Sequence, residues 1–142
     1  MIVCKEFEDK YAKQVTRLLN QLGYNVGSDE LPNRIESIRE NDKGIVFLAI
    51  EEEKIVGCTH TMVVSRLAEG TCGEVVSLVV DESMRGKGIG KFLLKESTNW
   101  LKERGQTKVR IRCNSIREEA HKFYSHLGYT EKKSQKVFEK NI

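Results

Sequence analysis

Seven consecutive residues, Arg85-Gly86-Lys87-Gly88-Ile89-Gly90-Lys91, interleave glycines with cations. Glycine inside a helix loses extra backbone entropy, so this density argues for a turn that opens a helix, not for its interior. The first N–H groups of a helix lack intrahelical partners, and its dipole is positive there. Missing Cβ atoms let a ligand approach that backbone. An anion, and a phosphate above all, is what such a turn serves. The glycine spacing is neither G-x-G-x-x-G nor G-x-x-x-x-G-K-[ST], which excludes the dinucleotide fingerprint and the Walker loop. The pattern is Arg85-x-x-Gly88-x-Gly90, set shortly after an apolar run. Read without a ligand, the same residues make a basic, Gly-rich helix cap.

The elements that would position this turn can be read on either side. Val75, Val76, Leu78, Val79 and Val80 are apolar and mostly β-branched, which suits a strand covered on both faces. After the turn, Ile89, Phe92, Leu93, Trp100 and Leu101 mark an amphipathic helix that Gly105 ends. Upstream, Ile2 to Phe7 reads as a strand. Asp9 is placed to cap a helix from about Lys10 to Leu22. Leu31, Ile35 and Ile38 give a second helix, with Pro32 in its first turn. Ile45 to Glu51 and Lys54 to about Val64 read as a hairpin turning at Glu52-Glu53, and Gly57 suggests a bulge or a close backbone approach. Lys108 to Cys113 is a further strand. Ala120, Phe123, Tyr124 and Leu127 mark a last helix, and Tyr129 to Lys132 and Lys136 to Lys140 are two closing strands.

The resulting order is β-α-α-β-β-β-α-β-α-β-β, a mixed α/β (α+β) pattern in a single domain over residues 1–142. The Arg85-x-x-Gly88-x-Gly90 turn resembles the acyl-CoA pyrophosphate loop of the GNAT superfamily of N-acetyltransferases. A second segment, Asn114-x5-Ala120-x2-Phe123-Tyr124-x2-Leu127-Gly128-Tyr129, resembles another signature of that superfamily. The resemblance spans the whole chain. It implies a central sheet of about seven strands flanked by four helices. It implies acetyl-CoA as cosubstrate, without a metal, and direct transfer to an amine without an acyl-enzyme. The pantetheine arm would pair with the backbone of Leu78, Val79 and Val80. Arg85, Gly86, Lys87, Gly88, Ile89, Gly90 and Lys91 would hold the pyrophosphate, with Asn114 and Tyr124 also on the cofactor.

The chemistry of aminolysis gives two side chains a role. Expelling a thiolate calls for a proton or hydrogen bond, which the Tyr124 phenol could supply; on spacing alone Tyr124 reads rather as an aromatic of an amphipathic stripe, and the pyrophosphate loop is what favours the acid role. Alkyl amines are mostly ammonium at pH 7, so a base must act first. The resemblance offers Glu74, at the start of the strand; its other reading is a solvated carboxylate, and a water chain is the competing base. His60 is a weaker candidate, since a lone strand histidine is commonly structural.

Composition limits the rest. The net charge is +3 and the cations form no tract, which argues against nucleic acid. No apolar stretch approaches the ~20 residues of a membrane span, and the N-terminus does not read as a signal peptide. Cysteines 4, 58, 72 and 113 show no metal spacing and read as reduced residues of a cytoplasmic protein. The expected acceptor is a small amine; Asp29 and Glu30 in the loop after the first helix could attract it, but acidic residues there read more simply as favouring a helix dipole. A protein lysine, or an acyl-CoA sensor without turnover, are the alternatives. A homodimer is common in the superfamily, and no residue pattern here locates its interface.

Overall fold

The computed structural model describes residues 1–112 and 118–142. The chain forms two compact units, Met1–Arg112 and Cys113–Ile142. The first unit is built on one sheet of strands β1 (Ile2–Glu6), β2 (Gly44–Glu51), β3 (Lys54–Arg66), β4 (Gly70–Val80) and β5 (Val109–Ile111), in that spatial order. The pairs β1–β2, β2–β3 and β3–β4 are antiparallel; β4–β5 is parallel. The parallel pair requires a crossover. That crossover is the helix Ile89–Glu103, numbered α3 after α1 (Ala12–Gln21) and α2 (Leu31–Arg39). The mixed α/β architecture therefore agrees with the sequence pattern.

Strand side chains alternate between faces, so each strand feeds two cores. On one face, Leu48, Ile50, Cys58 and Val79 pack with Val15 and Leu18 of α1 and Leu31 and Ile35 of α2. On the other, Ala49 and Val56 pack with Ile89 and Leu93 of α3. Trp100 and Leu101 continue that contact against Ile45, and the Arg104 guanidinium lies 3.9 Å from the Trp100 ring centroid. A buried bond from Thr61 Oγ1 to Ser97 Oγ, 2.7 Å, pins α3 to β3. A Cβ at Gly57 would stand 2.9 Å from both Ile89 Cγ2 and Leu93 Cδ1, so the glycine is what lets α3 lie this close. The hairpin turn has φ of 49° at Glu52 and 67° at Glu53. Two left-handed residues in a two-residue loop match the twist of the strands they join.

Three expectations are corrected. The sheet has five strands, not about seven. Tyr129 to Lys132 and Lys136 to Lys140 form no strand. Their apolar residues Val137 and Phe138 are adjacent, so a strand would send them to opposite faces, and both are almost fully exposed. Asp9 does not cap α1. A 3-10 turn, Asp9–Tyr11, leads into the helix without a side-chain cap.

The second unit contains α4 (Glu118–His126). Its C-terminus closes with Gly128 N–H donating to the Ser125 carbonyl, 3.2 Å, and Tyr129 N–H to the Tyr124 carbonyl, 3.0 Å. This is the paired-bond ending that a left-handed glycine permits. Cys113 and Asn114 lie outside the described residues.

Candidate active site

The odd spacing of polar residues in β4 is resolved by a bulge. Thr61 pairs with Val75 and His60 with Ser77, so Val76 is an extra residue in the strand. Without it, Glu74 and Ser77 would face opposite sides. With it, Glu74 (opposite Met62) and Ser77 (opposite His60) share the face that α1 and α2 cover farther along the sheet.

The bulge also marks where β4 and β5 part. Their pairing runs Gly73–Val109, Glu74–Arg110 and Val75–Ile111. Among the described residues no strand pairs with the β5-facing edge of Val76 to Val80. Leu78, Val79 and Val80 are held on their other edge by Thr59, Cys58 and Gly57. A strand edge with unused N–H and C=O groups is a template for an extended ligand. Crevices at the carboxyl ends of parallel strands are where open α/β sheets bind ligands.

Immediately beyond that edge stands the Gly-rich turn. Gly88 is the N-cap of α3 at φ 81°, and Gly86 has φ 80°. A Cβ at either would meet nothing within 4 Å. The glycines are therefore needed for backbone conformation, and the space above them is open. Gly88 has no side chain to cap the helix; its carbonyl accepts the first helical bond, from Phe92 N–H at 3.0 Å. The preceding N–H groups are those a helix leaves unbonded. Arg85, Lys87 and Lys91 are exposed, and no carboxylate among the described residues pairs with them, while Ile89 and Gly90 are buried under the turn. This arrangement fits a diphosphate without any further group.

Asp81, the residue that follows β4, fixes the turn in place. It is 4% exposed. Its Oδ1 accepts from Ser83 N–H at 3.1 Å and from Ser83 Oγ at 2.9 Å, and its Oδ2 pairs with Arg17 of α1 at 3.1 Å. Burial acts to raise its pKa, but the bonds from Ser83 and the Arg17 charge outweigh it and hold the carboxyl below its ordinary value. Glu82 N–H donates to Gln21 Oε1, 3.2 Å, which ties the same turn to the end of α1.

On the α1–α2 side of the sheet, Glu74 is 4% exposed, not solvated. Its Oε1 receives Arg66 Nη2 at 3.0 Å and Arg112 Nε at 3.2 Å. Arg110, opposite Glu74 in register, pairs with Glu69. Neither arginine partner of Glu74, Arg66 or Arg112, stands out in the sequence; the alternation of arginines with Val109 and Ile111 is the one signal that bears on Arg112. His60 is half-buried, and its Nε2 is buried without a hydrogen-bond partner among the described residues. Burial lowers its pKa, against the opposing pull of Glu74. Glu30 gives its carboxylate to Arg34 in its own helix, 2.9 Å. Burial pushes the thiols of Cys4 and Cys58 up to about 11 and about 12, which makes them poor nucleophiles.

In the second unit, Tyr124 is half-buried and packs edge-to-face with Phe123 at 5.3 Å and Tyr129 at 6.0 Å between ring centroids.

Comparison with known proteins converges on one family. The profile described as "Acetyltransferase (GNAT) family" matches residues 12–129. The chain is 31% identical over 137 residues to glucosamine 6-phosphate N-acetyltransferase of Arabidopsis thaliana, covering 92% of this chain and 89% of the relative. The crystal structure of the A. thaliana glucosamine-6-phosphate N-acetyltransferase superposes with a TM-score of 0.84 at 26% identity, over 99% of each chain. An aminoglycoside antibiotic 6'-N-acetyltransferase from Acinetobacter haemolyticus shares the fold, with a TM-score of 0.83 at 16% identity over 99% of each chain. The match over most of the chain and the identity with the curated relative show that the chain belongs to the GNAT family of acetyltransferases.

Proposed function

We propose that this N-acetyltransferase moves an acetyl group from acetyl-CoA directly to a primary amine of a small molecule. The observation that carries the donor is the continuity of the free β4 edge, Val76 to Val80, with the open turn at Gly86 and Gly88. An extended arm ending in a diphosphate has the shape and charge for both. Backbone groups of Leu78, Val79 and Val80 bond the arm. The N–H groups at the start of α3, with Arg85, Lys87 and Lys91, take the phosphates. Asn114 remains a proposed cofactor contact on the strength of the sequence motif.

The amine's lone pair attacks the thioester carbonyl, the C–S bond breaks, the nitrogen sheds a proton as the amide forms, and the thiolate takes one up. Tyr124 is the proposed donor of that proton. Glu74 is the proposed anion on the acceptor side, where it favours an approaching ammonium. Acceptors of the relatives, an amino sugar phosphate and aminoglycosides, are small amines. A compact amine of that kind is the acceptor class proposed here.

Thermal shift with acetyl-CoA, CoA and ATP in parallel tests the donor, because a ligand of the native state raises the melting temperature. Stabilisation by both CoA forms and none by ATP is expected. Thiol release from acetyl-CoA over an amine panel then tests transfer. Tyr124→Phe should lower turnover about tenfold or more while leaving the acetyl-CoA shift intact. A shift with ATP alone, or equal turnover in the variant, removes the corresponding assignment.

A further inference from the structure

The proposed reaction leaves one proton without a carrier: the acceptor arrives as ammonium and must attack as amine. Glu74 is poorly suited to take it. Its Oε1 already receives guanidinium groups at 3.0 and 3.2 Å in a site 4% exposed. Protonating it would leave Arg66 and Arg112 facing a neutral carboxyl, and stranding buried charge is costly.

His60 has what Glu74 lacks. It stands opposite Ser77, just beyond Val75, the last β4 residue paired to β5. It lies two residues from Met62, the partner of Glu74, and so shares Glu74's face of the sheet. Its Nε2 makes no hydrogen bond among the described residues, so the ring has unused capacity in the interior of the site. We propose that His60 accepts the proton of the incoming ammonium group, with Glu74 as the fixed anion that stabilises the imidazolium. This rests on the acetyltransferase reading above and adds a residue to it.

The balance is simple. The ammonium N–H bond breaks, and its proton goes to the neutral imidazole. The freed lone pair forms the C–N bond and the C–S bond breaks; a second N–H bond breaks as the amide forms, and that proton balances the one the thiolate takes up. The imidazolium then releases its proton to solvent, and the ring returns neutral. Its depressed pKa keeps the resting ring in the accepting form, while the nearby Glu74 charge limits the depression. Unlike Glu74, the ring changes charge without uncovering a guanidinium.

The test compares two acceptors in thiol release from acetyl-CoA: glucosamine 6-phosphate, whose amine is mostly protonated at neutral pH, and hydroxylamine, which is mostly neutral and needs no base. In His60→Asn, kcat/KM with the first should fall by about 10²-fold, and with hydroxylamine by less than about threefold. The acetyl-CoA thermal shift should match wild type. His60→Gln is the second variant should the first not fold, and added imidazole should restore part of the lost rate in His60→Ala. Equal losses with both acceptors would make His60 a shaping residue and overturn the proposal, as would no loss with either. Thiol release by wild type from neither amine would overturn the transferase reading, and the role of His60 with it.

Discussion

Replacing Gly88 by alanine separates the two reasons for a glycine at the start of α3. The backbone reason is its φ of 81°, where an L-residue costs about 1–2 kcal/mol. No steric term adds to this in the free protein, since a Cβ meets nothing within 4 Å. For 142 residues, an unfolding entropy of about 2.1 cal/mol/K per residue totals about 300 cal/mol/K, so the melting temperature should fall by about 3–7 °C. Gly105→Ala is the matched control. Its φ is 78°, its surroundings are equally open, and it lies at the other end of α3. Differential scanning calorimetry should find both variants destabilised alike. The ligand reason appears only with acetyl-CoA. A methyl group over the turn should weaken binding about tenfold, or about 1.4 kcal/mol, and so remove about 4–5 °C of the ligand-induced shift. Gly105→Ala should keep the full shift. An unchanged melting temperature in Gly88→Ala would refute the backbone argument. An equal ligand shift in all three proteins would refute the diphosphate site.

Asp81→Asn should cost about 1.5–3 kcal/mol at pH 7, because a buried, charge-assisted set of bonds to Arg17 and Ser83 is weakened. Since the folded pKa of Asp81 is lowered, its contribution is fully present above the unfolded value of about 3.9 and is lost as pH falls through the folded value. The gap in urea unfolding between variant and wild type should therefore begin to close as the pH falls below about 4 and keep closing with further acid, and a constant gap would refute the assignment. Gly44→Ala and Gly57→Ala should differ in severity. At Gly44 the new Cβ runs into the Ile38 carbonyl oxygen, whereas at Gly57 it meets side-chain methyls of Ile89 and Leu93 at 2.9 Å. Side-chain tips can shift and backbone cannot, so Gly57→Ala should lose about 1–3 kcal/mol and Gly44→Ala more, measured by equilibrium urea unfolding.

The sequence was most informative where local chemistry decides structure. Three glycines and a preceding apolar run located the turn at Arg85 to Lys91, because left-handed backbone and an unpaired helix start have few other sequence solutions. Pro32 and Gly57 were legible for the same reason. What stayed hidden depended on register. Glu74 looked like a strand-end carboxylate, and nothing in its neighbours announces that Arg66 and Arg112 converge on it across two strands. The role of Asp81 stayed hidden because its partner Arg17 lies far away in the chain. The closing strands were over-read: Val137 and Phe138 supply apolar character without the alternation that would bury it.

The Val76 bulge has a consequence for how β4 must be numbered. Residues 70–75 and 77–80 obey opposite parity, so Glu74 shares a face with Ser77 and Val79 but not with Leu78. The strand behaves like a text with one inserted letter: upstream and downstream words are both correct, but in different reading frames. A substitution at Val76 alters one side chain, whereas its deletion would merge the frames. Glu74 and Cys72 would then turn toward α3, or else the outer half would, and Val79 would leave the α1–α2 core. The length of β4, rather than any one of its side chains, is what addresses the acidic group and the free strand edge to each other.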